Sequence, residues 1–510
     1  MSPGTINERP HVLVTGATGY IGSSVLEPLA DAGFAVRASA RTPSAVRAPQ
    51  GVEVVAADAF DARAVRASLE GIDVAYYLVH TLGGGAEYRE RDRVAANLFA
   101  EAARDAGVRR IVYLGGLGAD TGALSEHLAS RQEVGRLLAA TGIEVVEFRA
   151  SIVIGAGSTS WEMIRNLTEK LPAMTTPRWV RQDAQPIAIT DVVAYLVAAA
   201  TTPQGAEPHR VYEIGGSDIV SYGDLLRLYA HHRGLRRLVI PVPVLSPGLS
   251  GWWLYLFTPK QATVGRQLAE SLRFPTVVGD DRARRDFPHI VPVGVDEAMD
   301  AAFAADRHAI DATSWLAEFG DNPTPRHEQR HGRHVDSRSI SVTCPPEAAF
   351  DPVACIGGER GWYAFDTLWD IRGFVDILLG GPGHRRGRRD PYALVEGDHL
   401  EWWRVERVEA PRLLRLKAEM KMPGEGWLVY ELATRADGEG TTVRQTAIYD
   451  AKGVIGRAYW YLVLPFHHFV FNGTLAGIER ECLALIEGPD TCPLPGSWQR
   501  EVARRGEQEA

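Results

Sequence analysis

Short apolar runs alternate with amphipathic stretches over the first third of the chain, and this alternation predicts strands and helices in turn. The predicted strands are apolar runs at 12–14, 35–40, 52–56, 74–79, 110–114 and 144–148. The helices predicted between them have apolar positions at helical spacing, at 23–32, 64–69, 88–106 and 127–141. Nearly continuous apolar strands that alternate with helices are typical of a doubly wound parallel sheet, so an α/β fold is expected.

A different pattern begins after residue 335. Strand-like runs are predicted at 338–343, 400–408, 413–422, 426–434 and 441–449, followed by one mostly apolar helix at 455–486. This order predicts an α+β domain, and the polar, proline-bearing stretch before it is typical of a linker. The expected domain organisation is a sheet core (1–150), a smaller substrate lobe of the same domain (151–318), a linker (319–335), a second domain (336–490) and a tail (491–510).

Composition excludes several classes of partner. The 510 residues carry a net charge of −9, whereas a nucleic-acid partner favours a basic face. The four cysteines lack Cys-x-x-Cys spacing, and His327, His331 and His334 have no cysteine or carboxylate framework beside them, so no metal site is expected. No uninterrupted apolar run reaches the ~18 residues of a membrane span. A cytoplasmic protein without a transmembrane segment is predicted.

Three glycines lie between the first predicted strand and the first predicted helix. Gly16 permits a tight turn out of the strand, and Gly19 lets a phosphate group approach the backbone. Gly22 lets the helix pack closely on the sheet, so that its N-terminal amides and dipole face the phosphates. This arrangement predicts a bound dinucleotide.

The end of the second strand bears on which dinucleotide is bound. An NAD site commonly has a carboxylate there, whereas an arginine suits the 2′-phosphate of NADP. The segment 37–41 contains no acidic residue and ends in Arg41. NADP is therefore expected, with NAD as the alternative if Arg41 is only a solvated side chain.

The same region carries a family resemblance. The run Thr15-Gly-Ala-Thr-Gly-Tyr-Ile-Gly22, Asp58 after the third strand and the element at 186–193 resemble an extended or atypical short-chain dehydrogenase/reductase. The resemblance implies an NAD(P)-binding Rossmann fold. It also implies a set of residues in contact with the cofactor: Gly16, Thr18, Gly19, Tyr20, Ile21, Gly22, Arg41, Asp58, Ala59, Val79 and His80.

Further strings narrow this resemblance. The segments 77–80, 113–118 and 149–155 are similar to a bacterial subgroup in which this domain is fused to a C-terminal domain of uncharacterised function, of the DUF2867 type. The N-terminal part is also distantly similar to the NAD(P)H-binding 39-kDa accessory subunit of respiratory complex I. These similarities favour cofactor binding and leave the reaction open.

The catalytic residues depart from the family pattern. The resemblance implies a serine at the end of the fifth strand and a Tyr-x-x-x-Lys pair on the next helix, but the strand ends Leu114-Gly115-Gly116. His127 and Arg131 occupy the Tyr/Lys spacing and share a helical face. A histidine that titrates near pH 6.5 can donate a proton, while a neighbouring arginine would lower its pKa. His127 and Arg131 are the candidate catalytic pair.

Other interpretations of this helix stay open. His127 could simply pack near the helix start, with Arg131 paired to Glu126 or Glu133 in solvent. Ser125 and Tyr113 are weaker substitutes for the missing catalytic groups.

The second domain resembles the helix-grip fold of lipid-transfer and polyketide-cyclase-like proteins. Its opening, Thr343-Cys-Pro-Pro-Glu347, is similar to theirs, and one long helix follows the predicted sheet. The resemblance implies a cavity between sheet and helix, although aromatic residues at these positions can also simply fill a core. The candidate lining residues are Trp402, Trp403, Trp427, Trp460, Phe466, His467, His468 and Phe469.

Two functions of different classes follow. The first is an NADP(H)-dependent oxidoreductase that acts on a small apolar carbonyl or quinone-like compound. The alternative is a non-catalytic NADP(H) sensor or scaffold whose C-terminal domain binds a hydrophobic ligand. Both have a small hydrophobic molecule as partner, and both leave peripheral membrane contact and oligomeric state open. The apolar cluster at 247–258 is either core or a wall of the substrate site.

Overall fold

The computed structural model describes residues 9–80, 88–118, 125–176, 178–241, 274–364, 376–377, 388–390, 393–435 and 437–487. The chain divides into two compact units, Met1–Arg307 and His308–Ala510. The apolar cluster predicted at 247–258 and the tail predicted at 491–510 lie outside the described residues. Within the described part of the chain, no helix is long and apolar enough to span a membrane.

The first unit contains a seven-stranded parallel sheet and smaller two-stranded pairs. Its strands are β1 (His11–Val14), β2 (Ala35–Ala40), β3 (Glu53–Ala56), β4 (Val74–Tyr77), β5 (Arg110–Gly116), β6 (Glu144–Ala150), β7 (Val153–Ile154), β8 (Ala173–Thr176), β9 (Asp183–Ala184), β10 (Ile187–Ala188), β11 (His209–Ile214), β12 (Val220–Ser221) and β13 (Leu238–Pro241). Its helices are α1 (Tyr20–Asp31), α2 (Ala62–Ser68), α3 (Tyr88–Asp105), α4 (Glu126–Ala139), α5 (Thr159–Lys170), α6 (Ile189–Thr201), α7 (Tyr222–His232), α8 (Arg282–Asp286) and α9 (Val295–Asp311), the last of which continues into the second unit.

The strand order of the large sheet is β11-β6-β5-β4-β1-β2-β3. The predicted doubly wound parallel sheet is confirmed. Because the order reverses between β1 and β4, a crevice opens at the carboxyl ends of these strands, where ligands bind in such sheets. The fold therefore places the end of β1 and the start of α1 at the expected binding position.

Both faces of β1 are buried, which explains its continuous apolar sequence. Val12 and Val14 pack on one face in a core shared with α1 and α6, whereas Leu13 packs on the other face in a core shared with α2, α3 and α4. All three side chains are inaccessible to solvent. The central strand is thus held by apolar packing on both sides.

The turn from β1 into α1 depends on two backbone contacts. Gly16 has a φ of +66°, and a Cβ atom there would lie 2.7 Å from the carbonyl oxygen of Leu78. A Cβ atom on Gly22 would lie 2.3 Å from the carbonyl oxygen of Gly16. Both positions exclude any side chain, as the predicted tight turn and close helix packing require.

A smaller lobe of the first unit follows β6. Trp161 on α5 is fully buried, packs edge-on against Tyr229 on α7 and donates through its indole N–H to Asp306 on α9 at 3.0 Å. The core of this lobe is separate from the two cores that flank the large sheet. The predicted bounds of a substrate lobe (151–318), and its role, stay predictions.

The second unit contains a seven-stranded antiparallel sheet with the order β14-β15-β20-β19-β18-β17-β16. Its strands are β14 (Arg326–Arg330), β15 (Arg333–Val342), β16 (His399–Leu400), β17 (Trp403–Glu409), β18 (Leu413–Ala418), β19 (Gly424–Thr434) and β20 (Thr441–Ala451). Its helices are α10 (Trp315–Phe319), α11 (Pro346–Ala354) and α12 (Gly453–Glu487). The antiparallel sheet followed by one long helix agrees with the sequence pattern, while assignment to the helix-grip fold stays a prediction.

The prediction that residues 319–335 form a linker is wrong for most of this stretch. Most of it belongs to the hairpin of β14 and β15, which pair from Arg326↔Ser337 to Arg330↔Arg333. The polar, proline-bearing sequence of 319–335 suggested a linker, but it runs into β15, where Asp336, Ser337 and Arg338 are almost completely buried. Ser337 is hydrogen-bonded to Thr446 across the sheet, and Arg338 donates to Asp336 on the same strand. Their burial with hydrogen-bond partners makes a polar sequence compatible with a central strand.

Replacing Gly22 with alanine should destabilise the first unit by about 1–3 kcal/mol, because the added methyl group would overlap the backbone at Gly16. The expected result is a lower midpoint of thermal unfolding. It can be measured by circular dichroism and by the fluorescence of added NADPH. Ser23→Ala, at the adjacent exposed position, is the matched control and should leave the midpoint unchanged. A Gly22→Ala variant as stable as the control would contradict the close contact.

Candidate functional site

A cleft of about 610 Å³ lies at the carboxyl ends of the parallel strands. Every cofactor-contact residue predicted from the sequence lines it, and so does Arg131 from the candidate catalytic pair. The predicted residues in its lining are Gly16, Thr18, Gly19, Tyr20, Ile21, Gly22, Arg41, Asp58, Ala59, Val79 and His80. The fold therefore brings residues from four separate strand ends and one helix start to a single cleft.

The start of α1 provides a place for an anion. Gly19 is the N-cap residue, and no side chain caps the first turn of this helix. Its first amide groups and the positive end of the helix dipole are thus available to a phosphate. Gly19 is exposed, and a Cβ atom there would approach only the Gly16 carbonyl oxygen, at 3.1 Å. The described residues fit a pyrophosphate at this position.

Arg41 provides a positive charge at the end of β2. Its side chain is exposed and makes no ion pair with any residue that the structure describes. The nearby Arg37, by contrast, is held by the carboxylate of Glu53 at 2.7 Å and by two carbonyl oxygens. Arg41 is therefore the arginine of this segment that can bind a 2′-phosphate.

A second arginine in the cleft was missed by sequence reasoning. Arg91 lies on α3, lines the cleft and places its guanidinium 4.8 Å from the ring centroid of Phe60. Phe60 follows Asp58, whose carboxylate accepts a hydrogen bond from the Phe60 amide at 3.0 Å. Nothing in the local sequence of an exposed helix indicates this approach, because it depends on how α3 packs beside the end of β3.

The candidate catalytic residues belong to a cluster of buried polar groups. The rings of His80 and His127 lie 5.2 Å apart between centroids, and Nδ1 of His80 is 3.7 Å from the carboxylate of Asp92. The guanidinium of Arg131 donates to the carbonyl oxygen of Leu114, at the end of β5. His127 and Arg131 therefore lie beside the strand end where the family serine is missing.

The protonation state of His127 differs from the sequence expectation. Burial, together with the charges of His80 and Arg131, lowers the pKa of His127 to about 3. Burial and the charge of Arg131 also lower the pKa of His80. His127 is thus a neutral imidazole at neutral pH, rather than the acid expected from a pKa near 6.5.

The contacts of this helix bear on the alternative roles of Arg131, Ser125 and Tyr113, while the packing role of His127 stays open. Glu133 binds the guanidinium of Arg93 at 2.7 Å, while Arg131 turns inward instead of pairing with it. Ser125 accepts a hydrogen bond at the start of α4 and acts as its N-cap. Tyr113 is fully buried, and its hydroxyl donates to the carbonyl oxygen of Arg131 at 2.8 Å. Both hydroxyls have structural partners.

A second cavity, of about 280 Å³, adjoins the cleft. Tyr20, His80 and Arg131 line both spaces, and His127 lines the second cavity alone. No carboxylate is among the described residues that line this second cavity. Its remaining wall is mostly apolar or small: Ile21, Leu114, Gly115, Gly116, Leu117, Leu128, Ala150, Ser151, Ile152, Val153, Ser158, Thr159, Ser160, Met163, Tyr222 and Thr276.

Comparison with protein families agrees with this geometry. Residues 16–166 match a family described as NAD(P)H-binding, and residues 329–474 match a family described as a protein of unknown function, DUF2867. The first match contains all the predicted cofactor residues. The second contains most of the antiparallel sheet and much of α12.

Individual relatives resemble about a fifth of the chain. A 3 beta-hydroxysteroid dehydrogenase/Delta 5-->4-isomerase of Mycobacterium tuberculosis is 35% identical over 117 residues, which are 21% of this chain and 31% of that protein. Sterol demethylase protein B of Methylococcus capsulatus is 36% identical over 125 residues, 22% of this chain and 38% of that protein. The chain thus spans about a third of the length of these curated relatives.

Among solved structures, the NADPH-dependent quinone oxidoreductase QOR2 of Escherichia coli, complexed with NADPH, is 20% identical with a TM-score of 0.47. The match covers 57% of this chain and 99% of that chain. The similarities to the complex I subunit and to helix-grip proteins stay predictions. Residues 16–166, which contain most of the parallel sheet, are thus similar to an NAD(P)H-binding family, and residues 329–474 of the second unit are similar to the DUF2867 family.

Proposed function

We propose that the first unit is an NADP(H)-dependent oxidoreductase that acts on a small apolar carbonyl or quinone-like compound. The observation that carries this proposal is that the two spaces share lining residues. Tyr20, His80 and Arg131 line both the cofactor cleft and the adjoining apolar cavity, where His127 also lies. A cofactor in the cleft would therefore have its reactive end beside a space suited to an apolar substrate.

NADP is favoured over NAD by the charges around the cleft. Arg41 is exposed at the end of β2 without an ion-pair partner among the described residues, and Arg91 lines the same cleft. The segment 37–41 supplies no carboxylate to hold a ribose 2′-hydroxyl. Two guanidinium groups favour the additional phosphate of NADP.

The cavity residues can assist carbonyl reduction without an ionised acid. Bound NADPH would supply the hydride. A neutral imidazole at His127 can donate an N–H hydrogen bond to the carbonyl oxygen, and Arg131 places a permanent positive charge beside it. His127 is suited to this role because its Nδ1 is buried without a hydrogen-bond partner among the described residues. The proton that completes the alcohol would then come from water.

The names of the relatives support an apolar substrate. The dehydrogenase and the demethylase protein that match this chain are both named for steroid or sterol compounds. The second cavity has a mostly apolar wall and no carboxylate among its described lining residues. An apolar ring compound with a carbonyl group is the substrate class that agrees with both observations.

A non-catalytic NADP(H) sensor or scaffold is the second candidate function. It is favoured by the glycines at the end of β5, where the family serine is expected, and by the unusual His127–Arg131 pair. In this alternative the cofactor cleft would be occupied without turnover, and the second unit would bind a hydrophobic ligand. Cytoplasmic location and peripheral membrane contact stay predictions under either function.

Arg41→Ala should weaken NADPH binding by about 10- to 100-fold, because one charge-assisted contact to the 2′-phosphate is lost. NADH binding should change by less than about twofold, because NADH lacks the phosphate that Arg41 would bind. Both affinities can be measured by titration of cofactor fluorescence. Arg66→Ala, an exposed arginine on α2 outside the cleft, is the matched control. Equal losses for the two cofactors would remove the phosphate role of Arg41.

His127→Phe should lower the rate of NADPH oxidation by about 100-fold or more, because the hydrogen bond to the reacting oxygen is lost. Menadione and 2-naphthaldehyde serve as quinone and carbonyl probes, and NADPH affinity should stay within about twofold because the cleft itself is unchanged. Glu126→Gln, which does not line the cavity, is the control. Unchanged turnover would exclude His127, whereas NADPH binding without oxidation of any probe would support the sensor.

Lowering the pH should destabilise the fold, partly because His127 binds a proton more readily in the unfolded chain. Its pKa is near 6.5 in an unfolded chain and about 3 in the fold, so between these values the unfolded chain binds more protons. Lowering the pH through this window therefore favours unfolding, and His127→Phe should make the midpoint of thermal unfolding fall less steeply. His80 keeps part of the slope, because its pKa is lowered too. His289→Phe, at an exposed site, should behave as wild type; equal slopes in all three proteins would refute the assignment.

A further inference from the structure

A separate cavity of about 320 Å³ lies within the second unit, where α12 packs on one face of the antiparallel sheet. The sheet contributes Trp403 and Tyr449, and the helix contributes Trp460, Val463 and Phe471. No carboxylate, lysine or arginine is among the described residues that line it. The cavity therefore suits an apolar molecule, and any polar selectivity must come from few groups.

His467 supplies one of these polar groups. Its Nδ1 lies 3.2 Å from a carboxylate oxygen of Asp336, which is completely buried on β15. Arg338 donates to the same carboxylate at 3.3 Å, and His327 lies 3.3 Å from it. Burial alone would raise the pKa of Asp336, but the hydrogen bond from His467 and these positive neighbours hold it below its ordinary value. Asp336 is thus ionised, and its carboxylate accepts a hydrogen bond from Nδ1–H of His467.

This pairing leaves the other ring nitrogen of His467 available. With the proton on Nδ1, Nε2 of a neutral imidazole is a hydrogen-bond acceptor, and it has no partner among the described residues. The ring is held between Trp460, edge-on at 5.2 Å, and Phe471, at 4.4 Å between centroids. Packing on both sides and the bond to Asp336 fix its orientation, as binding residues require.

A second polar group and an opening complete the site. Trp403 is only 8% exposed, and its indole N–H has no hydrogen-bond partner among the residues described. A buried unpaired donor in the wall of a cavity indicates a place for a polar atom of a ligand. Phe466 lines the cavity and is 53% exposed, so the cavity reaches the protein surface along α12.

We propose that this cavity binds a small apolar ring compound that carries a hydroxyl group, with the hydroxyl donating its hydrogen bond to Nε2 of His467. The apolar wall contacts the ring, and His467, oriented by Asp336, accepts the hydrogen bond from the hydroxyl. A compound of the same shape without the hydroxyl would leave the acceptor unpaired and bind more weakly. The proposal goes beyond the cofactor site and does not depend on whether the first unit is an enzyme.

The test compares 2-naphthol with 2-methylnaphthalene, two probes of similar shape that differ in the hydroxyl. Equilibrium dialysis with the full-length protein should show about tenfold tighter binding of 2-naphthol, the contribution of one net hydrogen bond. His467→Phe should abolish this preference while leaving 2-methylnaphthalene binding within about twofold. His308→Phe, at an exposed residue that does not line the cavity, is the control and should keep the preference.

A second variant identifies the cavity without depending on His467. Val463→Trp fills the space between helix and sheet and should abolish binding of both probes. NADPH affinity and thermal unfolding, measured on every variant, report whether the chain is folded and keep this test separate from the function of the first unit. The proposal is overturned if wild type binds neither probe at about 1 mM, if Val463→Trp still binds them, or if folded His467→Phe still prefers 2-naphthol.

Discussion

The first unit depends on a backbone contact at which no side chain fits. Gly22 of α1 lies so close to the carbonyl of Gly16 that a Cβ atom would approach that oxygen to 2.3 Å. This contact holds α1 close to β1, so that the uncapped N-terminus of α1 faces the crevice. The buried packing of β1 on both faces makes that position rigid. Cofactor binding is thus a consequence of how one helix is attached to one strand.

Burial separates the arginines and histidines around this crevice into different roles. Arg41 lies at the rim, exposed and without an ion pair among the described residues, so it is available to a phosphate. Arg131 is turned inward, where its guanidinium binds the end of β5, and burial together with the charges of His80 and Arg131 keeps His127 neutral. The cleft therefore contains an exposed cation and an immobilised cation, and the neutral imidazole of His127 lies in the adjoining cavity.

The second unit uses buried polar groups in another way. The polar strand β15 is accommodated because its charged residues are paired, with Arg338 and His467 both bound to Asp336. The same pairing that makes this strand compatible with burial also orients His467 at the wall of an apolar cavity. One carboxylate therefore both pairs the charges of this strand and orients His467, so that a strand of such polar sequence can lie inside the sheet, between β14 and β20.

The local sequence determined the elements and the glycine turn at the start of α1. Apolar periodicity places β1 to β6 and α12 within a few residues of their observed bounds, and the glycine spacing predicts the turn because it follows from backbone sterics alone. Tertiary structure decided what depends on distant partners. Arg91 reaches the cleft through its packing beside Phe60, the pKa of His127 reflects burial beside His80 and Arg131, and residues 326–342 form a hairpin because their polar groups find partners across the sheet. Such long-range contacts and desolvation have no signature in a local stretch of sequence.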